Sequence, residues 1–381
     1  MGVRVVIAPD SFKGSLSAQH VAASIAEGVV AACPDAQVHL VPIADGGEGT
    51  VDCLLDVVGG EVVTVPVHDP LGRPIDADYG VLPDGTVVIE VASAAGLTLV
   101  AQQDRDVLRG NTQGLGELLC HALDAGRTSF VVALGGSATN DGGVGMLYAL
   151  GARFYDEGGH ELAPTPDACR SLWRIDLSHL HPKLADASIR VACDVANPLC
   201  GERGATAVYG PQKGVTPDLI PVLDAFLDRF DSVVHRDLHI SIRDIPGAGA
   251  AGGLGAALVG LLGAKLLPGI DLILDLISFH TRLSDADLVI TGEGSTDAQT
   301  ANGKAVMGIA KRAKAAGVPV FCLSGNVSAE ATALYEHGVT ALFSITQGPI
   351  SLGDAMKSTG ILLSRAADAA VRAFLAGRMR G

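Results

Sequence analysis

Lysine is scarce in this chain. Eight lysines stand against nineteen arginines in 381 residues, and 42 acidic residues bring the formal net charge to −15. Such a balance excludes nucleic acid and anionic membrane as general partners. It leaves room for a small anion held by local cations. Aromatics make up only 4% of the residues, with a single tryptophan, Trp173, which reads as a packing anchor. The seven cysteines are scattered and never form C-x-x-C. No zinc site is visible, and the pattern points to reduced thiols in a cytoplasmic protein. No run reaches the ~20 apolar residues of a membrane span. The apolar start, Val3 to Ala8, is too short for the core of a secretory signal and reads as a first strand. Two catalytic signatures are also missing. No G-x-S-x-G elbow occurs. The nearest approach to a Walker A loop, Ala298 to Ala305, lacks its first glycine and its hydroxyl.

What is present is a strongly apolar, glycine-rich chain. Hydrophobic residues make up 48% and charged residues 18%, which fits a well-cored globular protein. At ~150 residues per domain the length suggests two domains. Val3–Ala8 and Val38–Ile43 read as buried strands, each followed by a polar loop and a helix. In the first helix, Val21, Ile25 and Val29 stack at i, i+4 and i+8 behind a plausible N-cap, Ser17. The rhythm then changes. Pro83-Asp-Gly85 is a hairpin signal between Asp76–Leu82 and Thr86–Val91. Helices are expected over 112–125, 144–150, 217–234 and 254–267. The first rhythm returns near residue 285, with strands at 287–291, 318–323 and 341–346 and helices at 304–316, 328–337 and 353–376. The simplest assembly is a parallel-sheet α/β domain built from the two ends of the chain, 1–65 and 285–381, interrupted by a mixed α/β domain over 66–284. In parallel sheets, ligands sit beyond the carboxyl ends of the strands, so an active site between the two domains is expected.

The chemistry concentrates in the connections. Leu134-Gly-Gly-Ser-Ala-Thr-Asn-Asp-Gly-Gly143 joins an apolar run to a helix, and such a loop can turn backbone N–H groups on an anion. The plainer reading is a tight turn with Asp141 capping the helix. Three of the eight lysines, Lys13, Lys213 and Lys304, abut glycine in loops. Asp10, Asp45, Glu48, Asp141, Asp194, Glu293 and Asp297 each follow an apolar strand-like run. Singly, each is a cap or turn residue; together they suit a metal ion and a proton acceptor in phosphoryl transfer. Gly247-Ala-Gly249-Ala-Ala-Gly252 matches a dinucleotide fingerprint but follows Pro246 instead of a buried strand. The histidines lie mostly outside glycine-rich loops and read as surface or core groups.

Several of these blocks together resemble the bacterial glycerate kinase family, type 1. They are Ala8-Pro-Asp-Ser-Phe-Lys-Gly-Ser-Leu-Ser17, Ala44-Asp-Gly-Gly-Glu-Gly-Thr50, the 134–143 loop, Cys193-Asp-Val-Ala-Asn-Pro-Leu199, Gly210-Pro-Gln-Lys-Gly214, Pro246–Gly255 and Val289-Ile-Thr-Gly-Glu-Gly294. The resemblance implies ATP-dependent phosphorylation of D-glycerate, usually to 2-phosphoglycerate, with Mg²⁺, and a flavodoxin-like domain interrupted by a second α/β domain. One departure stands out. Ser295-Thr296 occupy the place where family members often carry arginine and an apolar residue.

On this reading Asp194 is the general base, and Lys13 and Lys213 neutralise phosphate or substrate charge. Gly135, Gly136, Ser137, Thr139 and Asn140 in one loop, and Gly249 and Gly252 in another, cradle anions. Ser11, Asn197 and Lys304 join the substrate and phosphate site. Asp10, Asp45 and Glu293 are candidate Mg²⁺ ligands. The rivals are an NAD-dependent oxidoreductase and a non-catalytic binder of small anions. The hydroxyl that is phosphorylated and the oligomeric state stay open.

Overall fold

The computed structural model describes residues 2–44, 46–47, 49–297, 300 and 304–378. Asp45 and Glu48 lie outside the described residues. The chain divides into two compact units. The first comprises Met1–Asp45, Asp52–Val58 and Ile270–Gly381, and the second Gly46–Val51 and Gly59–Gly269.

The strands, in chain order, are β1 (Arg4–Ile7), β2 (Gln37–Leu40), β3 (Glu61–His68), β4 (Pro74–Val81), β5 (Val87–Glu90), β6 (Ser129–Ala133), β7 (Arg153–Tyr155), β8 (Arg174–Asp176), β9 (Ser188–Ala192), β10 (Lys265–Leu267), β11 (Leu288–Thr296), β12 (Val320–Val327) and β13 (Ala341–Ser344). The first unit holds a five-stranded sheet in the order β13-β12-β11-β1-β2. Every pairing in it is parallel. Counted along this unit alone the order is 2-1-3-4-5, the flavodoxin-like arrangement. Its core contains Val5, Ile7, Leu288, Ile290 and Leu323 beside Val21, Ile25 and Val29 of helix Ala18–Ala32. Ser17 caps that helix by accepting from the His20 N–H, and helix Thr359–Arg378 packs on it.

The second unit holds a six-stranded sheet, β10-β9-β6-β5-β4-β3. It is parallel from β10 to β5 and antiparallel from β5 to β3. The antiparallel turn between β4 and β5 falls at Pro83-Asp-Gly85, as the hairpin signal requires. Phe130, Val132, Val191, Phe226 and Phe230 lie in its core.

Several elements differ from the sequence reading. β3 belongs to the second unit's sheet, and Ile270–Ser284 belong to the first unit. The helix expected over 254–267 runs from Ala250 to Gly260, and Lys265–Leu267 is strand β10. Residues 328–337 form a 3₁₀ turn, Ala329–Tyr335. The C-terminal helix breaks into Leu352–Lys357 and Thr359–Arg378. β11 continues through Gly292-Glu-Gly-Ser-Thr296, where a loop was expected. The reason is close pairing with β12: a Cβ on Gly292 would lie 2.1 Å from the Leu323 carbonyl oxygen. Only glycine lets the ladder run on there. No helix among the described residues is long and apolar enough to cross a membrane.

Candidate functional site

In the first unit, β1 and β11 are neighbours whose connections leave to opposite sides of the sheet. Their carboxyl ends therefore frame a crevice, the place where open α/β sheets bind ligands. A cavity of ≈ 910 Å³ sits there. Asp10, Ser11, Lys13 and Ser15 line it from the loop after β1, Glu293, Ser295 and Asp297 from the end of β11, and Lys304 from the start of helix Ala305–Ala315. The loop is fixed from below by Phe12, which is buried. The Phe12 N–H donates to the Leu16 carbonyl at 2.9 Å, and the Leu16 N–H returns the bond at 3.0 Å. Asp10 Oδ1 accepts from the Ser11 N–H at 2.6 Å. Ser11 thus stands at the cavity wall beside the Lys13–Ser15 turn, its N–H already tied to Asp10.

Glu293 is buried, and Oε1 accepts from the hydroxyls of Thr300 (2.6 Å) and Thr296 (3.1 Å). Burial pushes its carboxyl upward, while those two hydroxyls and the Lys304 ammonium pull the other way. Thr296 also shares a 2.6 Å bond with the Ser324 hydroxyl. The departure at Ser295-Thr296 has a clear consequence. Thr296 is wholly buried in this hydroxyl network. Ser295 faces the cavity, where it accepts from Asn326 Nδ2 at 3.2 Å and brings no positive charge.

In the second unit the 134–143 loop is buried from Ser137 to Gly143, while Gly135 is half-buried and Gly136 exposed. Asp141 accepts four hydrogen bonds: from the Thr112 N–H and hydroxyl at 2.8 Å each, and from the Gly143 and Gly145 N–H groups at 3.1 Å each. Thr112 is the N-cap of helix Gln113–Asp124, and Gly143 that of helix Val144–Ala149. One carboxylate therefore closes two helix starts, where backbone dipoles favour negative charge. Burial pushes its carboxyl up, and the four donors oppose that. Asp141 is a cap, as the plainer sequence reading had it. Beside it Lys213 is also buried, its Nζ donating to Ser137 Oγ (2.8 Å) and to the Thr139 carbonyl (2.7 Å). Asn140 Nδ2 donates to Thr206 Oγ1 at 2.9 Å. Asn140 Oδ1 and Thr139 Oγ1 are buried without a partner.

The match with known proteins is decisive here. The model of the glycerate kinase family fits residues 5–375. The chain belongs to that family. It is 47% identical to the glycerate kinase of Bacillus subtilis (strain 168), covering 96% of each chain. It is 43% identical to the glycerate 2-kinase of Escherichia coli (strain K12), over 93% of each. A crystal structure from Salmonella typhimurium LT2, provisionally named glycerate kinase 2, superposes with a TM-score of 0.87 at 43% identity, covering 99% of both chains.

In this glycerate kinase family member the glycine loops differ from open anion cradles. The Gly135 N–H donates to the Gly46 carbonyl, that of Ala138 to Ala95, and that of Gly142 to Gly252. The Gly136 carbonyl accepts from Leu97. A Cβ at Gly249 would lie 2.3 Å from the Pro198 carbonyl oxygen, and one at Gly252, whose φ is +72°, 2.1 Å from that of Thr139. Both positions serve close backbone packing. Ala251, Gly252 and Gly253 take left-handed conformations inside helix Ala250–Gly260. The element before Gly247-x-Gly249-x-x-Gly252 is helix Ile220–Leu238 and no described strand leads directly into it, so the dinucleotide fingerprint lacks its required context. Asn197 is likewise committed to the protein: Nδ2 donates to the Arg203 carbonyl and Oδ1 accepts from the Tyr209 hydroxyl, both at 2.7 Å.

Asp194 is exposed just beyond β9, and Oδ1 accepts from the Gly269 N–H at 2.8 Å. A carboxylate fixed in this way can take a proton from an approaching hydroxyl. Glu90, at the end of β5, was not singled out from sequence. It is buried and accepts from the N–H groups of Val51 (2.7 Å) and Gly49 (3.2 Å). An acid closing the apolar run Thr86–Val91 was the available signal, but no glycine motif marked it. His235 and His239 stand one helical turn apart, yet among the described residues no group of three His, Cys, Asp or Glu side chains could hold a metal ion.

Lys213 supplies a pH test. Burial pushes its ammonium down to about 7 from 10.5, with Asp141 pulling it partly back. Between those values the unfolded chain holds a proton that the native chain lacks, so stability rises with pH across that window and the deficit is complete below it. Lys213→Met should flatten the curve. Urea midpoints at pH 7 and 9 should show a difference in slope worth about 2 kcal/mol between parent and variant. Parallel curves would contradict the buried ammonium.

Proposed function

We propose that the protein transfers the γ-phosphoryl group of ATP to D-glycerate, giving 2-phosphoglycerate. Membership of the glycerate kinase family supports the reaction, and the name of the Escherichia coli relative favours the 2-hydroxyl. The observation that carries the reading is the first unit's cavity, where Lys13 and Lys304 stand with Asp10, Glu293 and Asp297. Two ammonium groups suit polyphosphate oxygens. Carboxylates on the same wall suit Mg²⁺, which uses one or two of them together with substrate phosphates and needs no all-protein cage. Asp10, Glu293 and Asp297 are the described carboxylates of this cavity that would hold it, Glu293 also accepting from two threonine hydroxyls. Bound there, the ion would neutralise phosphate charge.

In the second unit Asp194 would accept the proton of the attacking hydroxyl. Lys213 acts through the loop it ties to Ser137 and Thr139 and not as a free cation. The seven free thiols fit a reducing cytoplasm. ADP release with D-glycerate, Mg²⁺ and ATP tests the reading, with the product position assigned by NMR. D-glycerate-dependent ADP formation is expected. Its absence, or NADH consumption in its place, would overturn the proposal.

A further inference from the structure

The cavity of the first unit is divided in character. Residues 10–15 and 293–304 bring all its charged groups, Asp10, Lys13, Glu293, Asp297 and Lys304. Residues 345–359 bring none: the wall there is Ile345, Thr346, Gly348, Pro349, Ile350, Leu352, Ala355, Met356 and Thr359. Three of these are large apolar side chains left in solvent, Leu352 77%, Ile350 42% and Met356 36% exposed. The hydroxyls nearby are already committed. Ser15 Oγ donates to the Met356 carbonyl and meets Thr359 Oγ1, both at 2.7 Å, and Thr346 Oγ1 meets Ser344 Oγ at 2.7 Å. This wall can therefore recognise a flat apolar surface far better than a polar edge. The tip of Met356 reaches the Lys13-Gly14 turn: its Cε lies 3.2 Å from where a Cβ on Gly14 would be.

We infer that the nucleotide base lies against Ile350, Leu352 and Met356, with its phosphates running toward Lys13 and Lys304. The inference rests on the kinase reading and adds to it the placement of one reactant. Size separates the two reactants. A three-carbon acid fills only a small part of ≈ 910 Å³, a volume within the ~300–1,000 Å³ of sites for larger organic ligands. Charge separates them too. Glycerate is polar throughout, and only the nucleotide pairs a highly anionic end with a planar apolar one.

The test compares ADP with inorganic tripolyphosphate, which keeps the charge and lacks the base. Calorimetry would be run on the parent, on the double variant Leu352→Gln/Met356→Gln, and on Lys13→Ala. Glutamine preserves helix propensity at both positions and removes apolar surface. The double variant should bind ADP at least tenfold more weakly and tripolyphosphate as the parent does. Lys13→Ala should weaken both. Photolabelling with 8-azido-ADP should mark peptides from Ile345–Met356. Unchanged ADP affinity in a folded double variant, or labelling confined to other peptides, would overturn the placement. Failure of the kinase reading is read separately, as absence of D-glycerate-dependent turnover in the parent.

Discussion

Asp141→Ala should lower the unfolding free energy by about 3–5 kcal/mol, read as a drop in the urea midpoint. The carboxylate is wholly buried, and its removal strands the Thr112 N–H and hydroxyl and the Gly143 and Gly145 N–H groups. Each unpaired buried donor costs roughly 1–3 kcal/mol, and local relaxation recovers part of the sum. The Thr112 hydroxyl carries the damage further, because it also accepts from the Met146 N–H at 3.0 Å. The neighbouring Lys213 ammonium would lose the charge that favours it. Asp141→Asn should fall between parent and alanine: it keeps the shape, but its amide N–H₂ faces donors. A loss below about 1 kcal/mol for the alanine variant would mean that the two helix starts do not depend on this cap.

Asp194→Asn should reduce kcat by about 10²–10⁴-fold, the usual share of a general base. The fold should survive, because the amide oxygen can still accept from Gly269 as Oδ1 does. The KM for ATP should change little, since the proposal gives Asp194 no nucleotide contact. Turnover within about threefold of the parent would remove Asp194 from the mechanism and leave it a loop residue that anchors Gly269.

The first unit was legible in sequence because its inner strands β1, β11 and β12 are largely buried and its helices bury one face, although the edge strand β2, expected to be buried, is mostly exposed. Val5 to Ala8 form a continuous buried apolar run, and Val21, Ile25 and Val29 repeat at helical spacing. The acids beyond those strands followed from the same logic, and Asp10, Glu293 and Asp297 do line one cavity. Burial was not legible. A lysine beside glycine reads as a loop cation, and only a contact 76 residues away turns Lys213 into an internal tie for Ser137. Glycines misled in a related way. Those at 249 and 252 suggested an anion loop and that at 292 the end of a strand, whereas the nearest atoms to their missing side chains are backbone carbonyl oxygens. The apolar wall at 345–356 escaped notice because its residues carry no periodicity or motif. Their meaning comes from the crevice that the 2-1-3-4-5 strand order creates.

That order also sets the protein's timetable. β1 is an interior strand, yet its partner β11 arrives very late: the Arg4 N–H donates to Asp287 across 283 residues of chain. At the usual ~5–20 residues per second of synthesis, an apolar strand waits ~15–60 s with one edge unpaired. The strands β3 to β10 lie together in the chain and can pair during the wait. A nascent chain stalled before β11 therefore exposes a ready template for misassociation. Chaperone dependence should concentrate on the first few residues to leave the ribosome.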